Sequence, residues 1–116
     1  MAWGWAVVAV AAGGAVGAVV RHALATARWG PLRGVLVANT VGAAALGALV
    51  ASTDDPRLLL LVGTGLCGAL TTWSTLAVQV VQAGSHGRGA AWATAYLVLS
   101  VVLGTGAALV VLRLLG

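Results

Sequence analysis

Residues 58–75 read LLLLVGTGLCGALTTWST, and this stretch is the most informative part of the chain for predicting its architecture. An apolar run suited to a bilayer passes through three glycines into a cluster of hydroxyl residues near its middle. Glycine and β-branched residues weaken a helix. A break at bilayer depth is tolerated only where protein or water satisfies the freed backbone groups. The stretch therefore predicts a helix from about Arg57 to Gln82 that is broken near residues 71–75, with its break buried against a partner.

Three further apolar segments accompany this one. They run from about Trp3 to Ala25, from about Arg33 to Ser52 and from about Ala90 to Leu115. A spanning helix needs about 20 apolar residues, so four spans use most of the 116 residues and form a single membrane domain, 1–116. Turn-forming residues separate the four segments: Arg28–Pro31, Thr53–Pro56 and Gly84–Gly89.

The composition supports the same architecture. Hydrophobic residues make up 61% of the chain, charged residues 7%, and the mean hydropathy is +1.08. A soluble domain typically carries about 25% charged residues, so this surface is suited to lipid rather than water. The net charge of +4 comes from six arginines scattered between apolar runs, a pattern that does not indicate a nucleic-acid interface. The composition predicts an all-α integral membrane protein whose partner is the lipid bilayer.

The arginines orient the chain only weakly. Acidic residues hardly count in the positive-inside rule, so only the positions of the arginines matter. One side of the membrane has Arg28, Arg33 and Arg88, with Arg21 at its edge, and the other has Arg57 and Arg113. A bias this weak permits insertion in both orientations, and hence an antiparallel dimer.

Small residues recur at four-residue spacing in three of the segments. In lipid, this spacing lets helices approach closely. The pairs are Gly13 with Gly17, Ala43 with Gly47, and Gly104 with Ala108. They predict a tightly packed helix bundle.

Few polar side chains remain inside the apolar segments. They are Arg21, Asn39, Thr40, Thr71, Thr72, Ser74, Thr75, Gln79, Tyr96 and Ser100. The only full charge among them is positive, and no carboxylate lies within an apolar segment. A small anion needs N–H and O–H donors to replace its hydration, whereas an exporter of organic cations needs an intramembrane acid. The pattern favours an anion path over a small four-helix cation exporter, and it offers no nucleophile with a nearby base for an enzyme.

Three motifs, one in each of the first three helices, carry a resemblance to a known family. They are residues 13–21 (GGAVGAVVR), 37–42 (VANTVG) and 65–75 (GLCGALTTWST). The chain resembles the CrcB/Fluc fluoride channels over essentially its whole length. The resemblance implies a channel in the bacterial inner (plasma) membrane that lets fluoride leak passively out of the cytoplasm. It further implies an antiparallel dual-topology dimer with two pores.

The resemblance also implies a structural sodium ion at the centre of the dimer. On the matching positions, the backbone carbonyls of Gly68 and Thr71 from each subunit would hold it. Unwound carbonyls at bilayer depth are able to bind a hard cation. Simple close packing is the alternative role for these two residues.

Several polar residues match positions along the family's anion path. Arg21 matches a vestibule arginine that attracts anions, although a lone arginine there is more often a snorkelling helix-end residue. Asn39 matches a pore asparagine whose amide donates to the ion, the alternative being an interhelical hydrogen bond. The other matches are Ser74 and Thr75 beside the pore, and Tyr96 and Ser100 on one face of the fourth helix.

Three positions depart from the family pattern. Where the family has two phenylalanines whose positive ring edges face fluoride, this chain has Trp73 and Leu76, and it contains no Phe. A glutamate that usually follows is Gln79 here. Trp73 still offers a ring edge or an indole N–H, whereas Leu76 offers neither. Two hypotheses stay open: a working homodimer with a substituted aromatic pair, or a heterodimer whose related subunit supplies the phenylalanines. A structural subunit without its own pore is a further alternative.

Overall fold

The computed structural model describes residues 3–85 and 88–116, and every regular element in this part of the chain is helical. Four segments are long and apolar enough to cross a membrane: Gly4–Ala25, Pro31–Ser52, Pro56–Ser85 and Gly89–Leu115. These four spans confirm the predicted all-α, multi-pass architecture. In chain order, the helices are α1 (Gly4–Ala25), α2 (Pro31–Ser52), α3 (Pro56–Leu58), a π-helix (Leu59–Cys67), α4 (Gly68–Leu70), α5 (Ser74–Ser85) and α6 (Gly89–Leu115).

The outside of the bundle is apolar. In the most hydrophobic window of α1 and of α6, only 11% of the residues are buried within the chain. Valine and leucine side chains such as Val8, Val19 and Val102 are well exposed. Soluble monomers rarely expose an apolar patch of more than a few hundred Å². This surface therefore faces lipid or another helix bundle.

The second span begins earlier than the sequence predicts. Its first residue is Pro31 rather than a residue near Arg33, because proline fits the first turn of a helix, where its missing N–H has no acceptor. Gly30 makes the turn before it with φ at 92°, a value that glycine adopts freely. The indole N–H of Trp29 donates to Leu24 O at 2.8 Å, so its side chain provides a donor for a carbonyl group at the end of α1.

The third span also extends beyond its expected end. Helix α5 continues to Ser85, so the predicted loop Gly84–Gly89 is shorter than expected at its start. His86 and Gly87 of that loop lie outside the described residues. The last span begins at Gly89, one residue before the predicted start.

The first half of the third span is a π-helix, which the sequence analysis did not predict. It covers nine residues, Leu59–Cys67, and the Gly68 N–H at its end bonds to Gly63 O, five residues back. π-helical turns are rare and occur mostly at functional positions. Gly63 and Gly65 fall within it, and glycine readily accepts unusual backbone geometry.

Glycines bring the spans into backbone contact. A Cβ at Gly13 would overlap Leu61 O, and a Cβ at Gly17 would overlap Leu66 O, so α1 lies directly on the π-helix. On the other side of the bundle, a Cβ at Gly47 of α2 would lie 2.7 Å from Ala108 O of α6. The predicted close helix packing is confirmed, and it positions the interruption in the third span against α2.

Candidate functional site at the 71–73 linker

Helical hydrogen bonding stops between α4 and α5. Leu70 ends α4, Ser74 begins α5, and Thr71 has an extended backbone with φ −83° and ψ 151°. Thr71, Thr72 and Trp73 are called the 71–73 linker. The linker lies near the middle of a 30-residue span. Its peptide groups therefore need partners inside the protein.

Asn39 of α2 supplies partners for Thr72. Its Oδ1 accepts the Thr72 N–H at 2.7 Å, and its Nδ2 donates to Thr72 O at 3.1 Å. The carboxamide thus satisfies both polar groups of one residue across a helix interface. An amide nitrogen carries two hydrogens, so one N–H of Asn39 remains for another acceptor. Asn39 makes the interhelical bond, and any role toward an anion depends on that second N–H.

The carbonyl groups of Gly68 and Thr71, beside the linker, are among those that lack the N–H donors of a continuous helix. An unbroken α-helix would pair Gly68 O with the Thr72 N–H, and Thr71 O with the Thr75 N–H. The Thr72 N–H goes to Asn39 instead, and the Thr75 N–H bonds to the hydroxyl oxygen of Thr72 at 3.2 Å. The carbonyl oxygens of Gly68 and Thr71 are consequently left without their helical donors.

A pocket of about 560 Å³ opens between α2, the linker and α6. We call it the linker pocket. Trp73 is 70% exposed and Leu76 is 2% exposed, so the tryptophan is the more accessible of the two substituted positions. The α6 side is lined by Val101, Gly104, Thr105, Ala108 and Leu109. Ser100 also belongs to α6, and the remaining lining residues are Asn39, Ala43, Thr71, Thr72, Trp73 and Leu76.

Three hydroxyl groups around the linker pocket already donate within the chain. The hydroxyls of Thr71, Thr72 and Ser100 donate to Cys67 O, Thr75 Oγ1 and Tyr96 O, at 2.9, 3.1 and 2.8 Å. Each hydroxyl has only one hydrogen, so these groups present acceptor oxygens. Among the described residues that line this pocket, the donors left for an anion are the second N–H of Asn39, the indole N–H of Trp73 and the hydroxyl of Thr105.

Tyr96 belongs to a separate network near the start of α2. Its hydroxyl oxygen lies 2.7 Å from Leu32 O and 3.2 Å from Gln79 Oε1, and Gln79 Nε2 donates to Pro31 O at 3.1 Å. The Tyr96 hydroxyl has one hydrogen, so it donates to either Leu32 O or Gln79 Oε1, but not to both at once. The sequence analysis noted Gln79 as a departure and missed this contact, because backbone carbonyls leave no signal in a sequence.

The other predicted residues lie elsewhere. Arg21 is half-buried near the end of α1, and Ser74 is exposed at the start of α5. Thr75 lines a second pocket, of about 430 Å³, with Gln79 and Arg88. The linker pocket thus unites Asn39, Trp73, Leu76 and Ser100 with Thr71, and does not include Arg21, Ser74, Thr75, Tyr96 or Gly68.

A third pocket was missed entirely. It lies between the starts of α2 and α6 and contains Arg33 and Arg88 together with Trp29 and Trp92. From their positions in the sequence, these arginines were predicted to be orienting charges alone. Only the fold shows that they share a cavity, since they are more than 50 residues apart in the chain.

Four membrane spans packed around this pocket define a small multi-pass membrane protein. A sequence model described as "CrcB-like protein, Camphor Resistance (CrcB)" matches residues 8–112. The chain therefore belongs to the CrcB-like family, which is a family of ion channels and not of enzymes.

Curated relatives agree with this assignment. "Fluoride-specific ion channel FluC 2" of Halobacterium salinarum is 48% identical over 95 residues, which cover 75% of this chain and 72% of the relative. "Fluoride-specific ion channel FluC 1" of Nocardia farcinica is 41% identical over 82% of this chain and 70% of its own length. The protein of the same name from Streptomyces avermitilis is 40% identical over 85% and 86%, respectively.

Proposed function

We propose that this chain is a fluoride-selective ion channel that lets fluoride leave the cytoplasm passively across the cell inner membrane. The relatives named as fluoride channels are 40–48% identical to it. The observation that carries the proposal in this chain is the linker pocket, which joins two free N–H donors to apolar walls and contains no carboxylate. Such a lining offers N–H donors to a small anion and no carboxylate to an organic cation.

The proposal includes an antiparallel dual-topology dimer in which two broken third helices meet and hold a structural sodium ion. The carbonyl oxygens of Gly68 and Thr71 fit a hard cation, because neither receives its helical N–H. Gly68 is exposed, and a Cβ there would meet nothing closer than Gly63 O at 3.8 Å. The surface beside it is therefore open to a second copy. When bound, sodium would neutralise the partial negative charge of these carbonyls and join the two copies.

Along the proposed anion path, each residue has a separate role. Arg21 provides positive charge at its end of the bundle, and Asn39 and Trp73 donate N–H groups in the linker pocket. Leu76 supplies an apolar wall. The hydroxyls of Ser74 and Thr75 donate to no acceptor within the described residues, and Thr75 Oγ1 accepts from Thr72. The hydroxyls of Tyr96 and Ser100 become donors to the ion only when they rotate away from their present acceptors.

The test is anion efflux from sodium-containing liposomes that hold only this purified chain. We expect rapid loss of fluoride with chloride retained, recorded with ion-selective electrodes. Protein-free liposomes give the leak rate. Equal loss of both ions would contradict fluoride selectivity. If a well-folded protein releases neither ion, the chain does not conduct fluoride on its own.

A second candidate is a heterodimeric channel in which this chain is one subunit. Two FluC proteins of Halobacterium salinarum, FluC 1 and FluC 2, both match this chain at 47–48% identity, so related subunits coexist in one organism. Leu76 favours this candidate, because it lines the pocket without offering a ring edge.

The variant Leu76→Phe distinguishes the two candidates. If the missing ring limits a silent homodimer, this variant gains fluoride efflux, whereas Val81→Phe, on an exposed face of the same helix, stays silent. If the unmodified chain already conducts fluoride alone, the second subunit is unnecessary.

A further inference from the structure

The third pocket lies at the end of the bundle where α2 and α6 begin, and its volume is about 740 Å³. We call it the arginine pocket. Ligand sites of small molecules typically occupy about 300–1,000 Å³, so this pocket has room for a polyatomic group. The lining residues are Trp29, Gly30, Pro31, Leu32, Arg33, Arg88, Trp92 and Tyr96.

The positive charge in this pocket has no counter-charge from the chain. Arg33 and Arg88 both line it. The chain has only two acidic residues, Asp54 and Asp55, and both lie in the connection between α2 and α3. That connection is one 22-residue helix away, or about 33 Å at 1.5 Å per residue. This separation exceeds the ~8–10 Å screening length of physiological salt, so the pocket stays electropositive.

One of the two guanidinium groups is held in place by aromatic stacking. The Arg88 guanidinium carbon lies 4.4 Å from the ring centroid of Trp92. Trp92 in turn stacks on Tyr96, with centroids 5.5 Å apart and ring planes 6° from parallel. Tyr96 is anchored by its hydroxyl bond to Leu32 O. A charge fixed in this way loses less entropy when it binds a ligand than a freely moving arginine does.

The backbone adds to the same potential. Helices α2 and α6 both begin at this pocket, and neither has a side-chain cap or an acidic residue in its first turn. The positive ends of two helix dipoles are therefore uncompensated beside the two arginines.

We infer that the arginine pocket binds a phosphate group, supplied by the headgroup of an anionic phospholipid in the adjoining leaflet or by free inorganic phosphate. The planar guanidinium fork matches the oxygens of a phosphate. Trp29 and Trp92 are of the residue type that settles at the headgroup level of a membrane. This inference rests on the pocket alone and holds whether or not the chain conducts fluoride.

The test measures lipid and phosphate binding to the purified chain in neutral detergent. Phosphatidylglycerol and phosphatidylcholine with the same acyl chains are compared by native mass spectrometry, and inorganic phosphate is added as a competitor. We expect preferential retention of phosphatidylglycerol. Arg33→Gln and Arg88→Gln should each weaken its binding about tenfold, the effect of losing one charge-assisted hydrogen-bond pair.

Arg28→Gln is the matched control, because Arg28 lies at the same end of the bundle but does not line the pocket. The inference is overturned if this control weakens binding as much as the two pocket variants, since general surface charge then explains the retention. It is equally overturned if neither pocket variant changes the binding of lipid or phosphate. Arginine-dependent binding of phosphate without preference for phosphatidylglycerol supports the site and assigns its ligand to free phosphate. The thermal midpoint of each variant without added lipid checks that its fold is intact.

Discussion

At the scale of single residues, Asn39 explains how a helix can stop inside a membrane. The Thr72 N–H and C=O have lost their helical partners, and an unsatisfied backbone group in hydrocarbon costs several kcal/mol. One carboxamide restores both bonds. A threonine or serine at this position has one hydrogen to donate and does not have the two-point geometry of an amide.

We expect Asn39→Ala to lower the free energy of unfolding by about 1–2 kcal/mol, since two interhelical hydrogen bonds disappear together. Unfolding in detergent, followed by circular dichroism, measures the change. Thr40→Val is the matched control on the next residue of α2. The Thr40 hydroxyl is the one side-chain polar atom that is buried without a partner in residues 3–85 and 88–116, so its removal breaks no bond. Equal destabilisation by both variants would contradict the role assigned to Asn39.

At the scale of elements, the contact between α1 and the π-helix depends on glycine. Gly13 and Gly17 lie one turn apart on α1, and each has a backbone carbonyl of the third span where a methyl group would be. Backbone atoms cannot rotate aside as a flexible side chain does. The two helices would have to separate to accept any larger residue.

Gly13→Ala should therefore destabilise the protein by about 1–3 kcal/mol, the usual range for overpacking. Gly14→Ala, one residue along, is its control, because a Cβ there meets only Gly65 O at 4.0 Å. Thermal unfolding in one detergent compares the two. Similar midpoints for both variants would show that α1 shifts to accommodate the methyl group.

The proposed sodium site at the 71–73 linker can be tested through the stability of the protein. If the Gly68 and Thr71 carbonyls hold sodium between two copies, replacing sodium with a large organic cation should lower both the thermal midpoint and the fluoride efflux. Without sodium, the partial negative charges of these carbonyl oxygens would repel one another across the dimer. Differential scanning fluorimetry reads the midpoint independently of conduction. A midpoint that does not respond to sodium, in a protein shown to be dimeric, would count against the site.

At the scale of the whole molecule, charge is distributed unevenly between the two ends. Arg21, Arg28, Arg33 and Arg88 lie toward the end where α2 and α6 begin, and Arg57 and Arg113 lie toward the other. Acidic residues contribute little to orientation, so the difference between the ends is two arginines. An antiparallel dimer needs both orientations, and each copy then places its arginine pocket on a different side of the membrane.

Removing Arg57 and Arg113 together, as Arg57→Gln and Arg113→Gln, should bias insertion toward one orientation, with the four-arginine end in the cytoplasm. Gly116→Cys, treated with a membrane-impermeant thiol reagent in intact and in permeabilised cells, reports the orientation. The native Cys67 is 1% exposed and does not interfere. The double variant Arg28→Gln and Arg88→Gln leaves two arginines at each end of the bundle, so the chain should still insert in both orientations. If the chain with only the Gly116→Cys change is labelled from one side alone, dual topology is contradicted.

The sequence alone determined the number of spans, their approximate limits and the all-helical class. Each of these follows from local composition, such as the apolar run from Val35 to Val50 and the turn residues that follow it. Motif order was enough to assign the family. Close packing was also readable, because small residues at four-residue spacing mark a helix face. These properties depend on neighbours in the chain, which a sequence displays directly.

Only the tertiary structure decided which polar groups satisfy one another. The bonds from Asn39 to Thr72 join residues 33 apart, and the bond from Tyr96 to Leu32 joins residues 64 apart. Their partners are backbone atoms, which are the same at every position and leave no mark in a sequence. The π-helix and the arginine pocket were missed for a related reason. Backbone winding and the convergence of Arg33 with Arg88 result from how four helices pack, because packing decides which distant surfaces meet.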